Sequence, residues 1–172
     1  VPPAAAPPRL SAARLVLQLE QGSLHLAFYD DVAPVSAAHI LRLGELGAYN
    51  TNHFFRVDKG FVAQVADVGG GRAAPLDAAQ RVEEDKRVPL EVAKGVQHDR
   101  RGLLSMARHD DPSSGGSSFS VMLGPAPHLD MTYAIFGEVT EGLEVLEALE
   151  ALPTRREGIF VMPLARIAIL ST

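Results

Sequence analysis

The sequence predicts a closed β-barrel capped by two α-helices. Three observations lead there. Most apolar residues lie in short segments that alternate with polar ones. Two stretches, one towards each end, switch to helical spacing instead. Gly, Pro and Asp punctuate the gaps, and closing many short strands into a barrel removes bare strand edges. The 172 residues suit one domain with a sizeable core.

The elements follow in order. Residues 1–13 form a Pro/Ala-rich N-terminal arm, extended rather than packed, ahead of a domain over 14–172. Residues 14–29 alternate: Leu15, Leu17 and Leu19 share one face, and Leu24, Leu26 and Phe28 share one after Gln21-Gly22. This is a hairpin with a short turn. Residues 33–46 place Val35, Ile40, Leu41 and Leu43 near one helical stripe, with Pro34 in the first turn and Gly47 as a stop. Strands are expected over 53–57 and 61–68, separated by Asp58-Lys59-Gly60. From 69 to 101 the periodicity fades into a long charged loop, opening on Gly69-Gly70-Gly71-Arg72 as a flexible turn. Its run Arg81 to Arg87 reads as a solvated face or a docking loop. Strands resume over 103–106, 119–123 and 134–139. Leu143, Leu146 and Leu149 mark a second helix over 141–152, and 164–170 alternates again.

Composition narrows the function. Hydrophobic residues make up 47% and the formal net charge is -5. Basic residues are scattered, with short pairs at Arg100-Arg101 and Arg155-Arg156, so nucleic acid is not an expected partner. No apolar run reaches the roughly 18–20 residues that span a bilayer. With no cysteine, disulfides and thiolate metal sites are excluded. The six histidines show no metal-ligand spacing, so no metal site is expected. Ser105, Ser117 and Ser118 have no His/Asp grouping close in sequence that suggests a nucleophile. The chain opens on Val1, as expected of a trimmed or processed protein.

Four blocks carry a more specific message. The first is Phe54-Phe55-Arg56-Val57-Asp58-Lys59-Gly60-Phe61-Val62-Ala63-Gln64. The second is Gly102-Leu103-Leu104-Ser105-Met106-Ala107, and the third Gly116-Ser117-Ser118-Phe119. The fourth is His128-Leu129-Asp130, followed by Tyr133-Ala134-Ile135-Phe136-Gly137-Glu138-Val139. In this order and spacing they resemble the cyclophilin family of peptidyl-prolyl cis-trans isomerases. The resemblance runs from about Arg14 to the C-terminus. It implies a mainly β fold, an eight-stranded antiparallel barrel with two capping helices. It also implies isomerisation of Xaa-Pro bonds in protein clients, without cofactor or metal. By motif position, Arg56 would be the catalytic residue. Phe61, Val62, Gln64, Ala107, Ser120, His128, Leu129 and Tyr133 would bind the substrate.

These residue types suit that chemistry. Amide resonance sets a rotation barrier of about 18–20 kcal/mol. In the twisted transition state the proline nitrogen becomes pyramidal and gains a lone pair. A fixed donor aimed at it favours that state over both ground states. Arg stays charged and offers a rigid fork of donors. Phe61, Val62 and Leu129 would seat the proline ring, Gln64 would bond the peptide backbone, and Ala107 would leave room for the residue before proline.

The sequence departs from the family pattern at the pocket. Ser120 stands where a second aromatic is usual, His128 where Trp is common, Tyr133 where a His is usual, and Val62 where Met or Leu is. Two functions are therefore compatible with it. One is an isomerase assisting folding or assembly. The other is a weakly active or inactive scaffold that docks on a larger protein complex. Val88-Pro89-Leu90-Glu91, the His128–Gly137 block and the missing Met resemble divergent organellar cyclophilins, those of the chloroplast thylakoid lumen. That would make a membrane protein complex a further partner; a cytoplasmic protein is the alternative.

Overall fold

The computed structural model describes residues 6–172. The chain runs β1 (Leu10–Leu19), β2 (Gly22–Tyr29), α1 (Pro34–Glu45), β3 (His53–Asp58), β4 (Val62–Val65), α2 (Val68–Gly71) and α3 (Ala78–Glu84). It continues through β5 (Leu103–Met106), β6 (Phe119–Met122), a 3-10 turn (Pro127–Leu129), β7 (Ile135–Glu141) and α4 (Leu143–Glu150). It ends with β8 (Thr154–Glu157), β9 (Phe160–Pro163) and β10 (Ile167–Ser171). Eight strands close an antiparallel barrel in the order β1-β10-β3-β4-β6-β5-β7-β2, while β8 and β9 form a separate hairpin. The expected barrel and its two capping helices are present. No helix among the described residues is long and apolar enough to cross a membrane.

Alternation drives the barrel. Leu15, Leu17, Leu24, Leu26 and Phe28 all turn into the core. There Phe136 stacks near Phe28 at 6.2 Å, and Phe119 meets the edges of Phe136 and Tyr49 at 5.7 and 5.6 Å. Helix α1 adds Ala37, Ile40 and Leu43 to this core, and α4 adds Val145, Leu146 and Leu149. Gly47, at φ +70°, ends the first helix as its position after a helical stripe predicts.

Three expectations need correction. The first strand begins at Leu10, inside the stretch read as an arm. A bulge lies between Leu10 and Arg14, and there the Ser11 hydroxyl accepts the Phe28 N–H at 3.0 Å in place of a ladder bond. Residues 1–5 of the arm lie outside the described residues.

The long loop holds two short helices. α3 opens on a capping box: Gln80 N–H donates to Asp77 at 2.8 Å, and Asp77 N–H donates to Gln80 Oε1 at 2.9 Å. Periodicity misses it because its buried face is polar. Gln80 and Glu83 point inward, Val82 is exposed, and Glu83 meets His39 of α1 at 3.0 Å. Within the run Arg81 to Arg87, read as a solvated face, only Glu83 is buried and Glu84 half-buried; the other residues are exposed as expected. Gly69-Gly70-Gly71 is a helical turn, not a loose one. A Cβ on Gly71 would sit 2.6 Å from the Ala66 Cβ.

The third correction is the β8–β9 hairpin. All four residues of β8 are exposed and polar or charged, so no apolar alternation marks it.

Candidate active site

A row of paired residues crosses four strands on the outer face of the barrel. Arg56 on β3 pairs with Gln64 on β4, Gln64 with Ser120 on β6, and Ser120 with Ser105 on β5. Their chain neighbours Val57, Ala63, Val121 and Leu104 are buried in the barrel core. At about 4.8 Å per strand the row spans about 14 Å, the reach of roughly four extended residues. It floors a groove of about 820 Å³.

Arg56 stands at the β3 end. The turn that follows positions it: Gly60 takes φ +78°, its N–H donates to Glu150 at 2.9 Å, and Phe61 N–H donates to the Asp58 carbonyl at 2.9 Å. The guanidinium carbon lies 5.4 Å from the ring centres of both Phe61 and Phe160. Asp58 is 3.7 Å from one terminal nitrogen. Nε is buried and has no hydrogen-bond partner among the described residues. An unpartnered buried donor costs about 1–3 kcal/mol.

Beside Arg56 lies an apolar seat. Val62 and Met122 belong to a small second cluster outside the main core, with Phe61 and Leu129 packed against it. All four line the groove. Met122 lies beside Ser120. It is two residues along the same face of β6, pairs with Val62 and is fully buried. A flexible thioether fills irregular space well, and it supplies apolar wall where Ser120 has none. Sequence reading passed over Met122 as an ordinary strand residue.

The other expected residues are distributed unevenly. Gln64 lines the groove, its amide nitrogen donating to the Ser118 hydroxyl at 3.2 Å. Ala107 and Ser120 line it as well. Tyr133 lines it with its ring 5.0 Å from the Arg108 guanidinium carbon. His128 does not line the groove. It is exposed on the 3-10 turn, with its ring 5.6 Å from that of Phe61.

Sequence spacing suggests no His or Asp around Ser105, and here the fold differs. His98 Nδ1 lies 2.9 Å from Asp130 Oδ1, and Nε2 lies 2.9 Å from the Ser105 hydroxyl. The His98 backbone N–H also donates to Asp130 at 2.6 Å. With Nδ1 donating to the carboxylate, Nε2 accepts from the serine. Ser105 is 3% exposed and His98 is bonded to both Ser105 and Asp130, so the trio braces the turn carrying Leu129 rather than presenting a nucleophile.

Burial would raise the Asp130 carboxyl, but the hydrogen bonds from the His98 backbone and ring outweigh it and hold it below its ordinary value. A depressed folded value makes this contribution complete above the ordinary carboxyl range and lost as pH falls through the lower one. The stability gap between wild type and Asp130→Asn is therefore expected to narrow below about pH 4. Thermal midpoints from pH 6 to pH 3 measure it, and a constant gap would refute the brace.

Comparison with known proteins then decides the family. Residues 14–172 match the family described as cyclophilin type peptidyl-prolyl cis-trans isomerase. The chain belongs to the cyclophilins. It is 59% identical over 165 residues to the peptidyl-prolyl cis-trans isomerase CYP23 of Arabidopsis thaliana, covering 96% of this chain and 72% of that protein. It is 33% identical over 144 residues to the human peptidyl-prolyl cis-trans isomerase-like 3, covering 83% and 85%. A similar solved structure is a Cryptosporidium parvum cyclophilin crystallised in the presence of the dipeptide Ala-Pro. Its TM-score is 0.77 at 27% identity, with 92% of this chain and 96% of that chain covered. In this cyclophilin the four sequence blocks fall on β3–β4, β5, the approach to β6 and the turn into β7, and so around one groove.

Proposed function

We propose that the groove isomerises Xaa-Pro bonds of protein clients and so assists their folding or assembly. The observation that carries this is the Arg56 guanidinium in one groove with the seat made by Phe61, Val62, Met122 and Leu129. The seat grips the proline ring. The preceding carbonyl then swings while Arg56 donates to the pyramidal nitrogen, favouring the twisted amide over both planar forms. Gln64, its nitrogen held by Ser118, offers its carboxamide oxygen to a peptide N–H. Ala107, at the β5 end of the row, leaves space for the residue before proline. Ser120 and Tyr133 add polar edges, and His128 shields the outer rim of Phe61.

Two-dimensional exchange spectroscopy on an Ala-Pro-containing peptide tests this. Unassisted exchange takes tens of seconds or longer. Catalytic amounts of protein should bring cis–trans cross-peaks in within a mixing time of about one second. Peptide binding without acceleration would favour the second reading, a docking scaffold. Ser120 beside the proline seat and His128 outside the groove are the observations behind that reading.

The compartment we infer is the chloroplast thylakoid lumen, with a membrane protein complex as a partner. Its support is the resemblance at Val88 to Glu91. That segment also has a structural task. The Glu91 carboxylate accepts the Val35 and Ser36 N–H groups at 3.1 and 2.7 Å, capping α1 from a distant point in the chain. Fractionation of the mature protein tests the compartment, and a cytosolic result would end it.

A further inference from the structure

The β8–β9 hairpin lines the groove without belonging to the barrel. Its strands pair in continuous register to Glu157↔Phe160, which leaves Gly158 and Ile159 as a two-residue turn. Such turns favour Gly, Asn and Asp. Here the second position is a large aliphatic residue, 75% exposed. It breaks a local rule with no packing gain inside the fold, and such breaks concentrate at functional places.

The hairpin does not hang free. Phe160 lies 5.7 Å from the ring of Phe55 and 5.4 Å from the Arg56 guanidinium carbon. Both Ile159 and Phe160 line the groove. They sit beyond β3, at the Arg56 end of the row, whereas Ala107 follows β5 at the opposite end. With the residue before proline at Ala107, the chain leaving the proline runs towards the hairpin. An extended peptide advances about 3.3 Å per residue, so the residue after proline lies one such step beyond the seat, on the side where Ile159 and Phe160 line the groove.

We propose that Ile159, backed by Phe160, is a specificity-determining wall that takes an apolar side chain on the residue following the client proline. The inference rests on the groove being a proline-peptide site. It does not require that the peptide be turned over. Ile159 discriminates by removing apolar surface of the client from water, as any aliphatic contact does.

Peptide titrations followed by NMR decide it, using Ala-Ala-Pro-Leu and Ala-Ala-Pro-Ala amides. Wild type should bind the leucine peptide about tenfold more tightly. Ile159→Ser should reduce the ratio to about twofold or less, and Ile159→Leu should retain it. An equal affinity of wild type for both peptides would overturn the wall, as would a ratio unchanged in Ile159→Ser. Failure to bind either peptide would overturn it too. Exchange rates from the same samples separate this from the isomerase reading. Leucine preference without acceleration sinks catalysis and keeps the wall. Acceleration of both peptides with equal affinity does the reverse.

Discussion

Arg56→Ala is expected to lower kcat/KM for Xaa-Pro exchange by about 10²- to 10³-fold, the usual cost of removing one preorganised donor to a transition state. The fold should survive. Arg56 contributes two aromatic contacts and a loose ion pair at 3.7 Å, and its buried Nε is unpaired. A cation over an exposed ring contributes about 0.5–1 kcal/mol, and deleting the unpaired donor offsets part of that. Arg56→Lys should rescue little, because an ammonium on a flexible stem has neither the fork nor the flat face that Phe61 and Phe160 hold. Exchange rates and urea midpoints measured together check both halves. Near-wild-type rates in Arg56→Ala would remove the donor from the mechanism.

Phe119→Ala is expected to have the largest effect on stability, about 3–5 kcal/mol. Phe119 is fully buried and joins Tyr49 and Phe136 edge-on, in a cluster that continues to Phe28. Edge-on aromatic pairs add about 0.5–1.5 kcal/mol each beyond the area they bury. The adjacent change, Ser120→Ala, should stay within about 0.5 kcal/mol. One step along β6 moves the side chain from the core to the half-buried groove face. Urea unfolding of the two variants tests this alternation. Similar losses at both positions would contradict the register that puts Ser120 in the groove.

What the sequence made legible follows from how each element is stabilised. The β1–β2 hairpin, α1 and α4 bury apolar residues at periods of 2 or 3.6, so their pattern is written in the chain. α3 buries Gln80 and Glu83 instead, and its signal is the Asp77 to Gln80 capping box rather than a stripe. β8 buries nothing, and its place is fixed by β9 through Phe160. In the site, Arg56, Phe61 and Gln64 lie within nine residues on two paired strands, so one motif brings them together. Met122 was hidden because a Met in a strand reads as core. His98 and Asp130 are 32 residues apart, and only barrel closure joins them to Ser105. His128 lies beside Phe61, exposed on the 3-10 turn and outside the groove.

In the proposed complex a proline ring rests on Phe61, Val62, Met122 and Leu129 with its amide facing Arg56. A crystal structure with bound Ala-Pro dipeptide tests it most directly. The ring should sit on that seat, with a dipeptide acceptor within about 3.2 Å of the Arg56 guanidinium. A dipeptide bound at the Ala107 end alone, or anywhere outside the Arg56–Gln64–Ser120–Ser105 row, would contradict it.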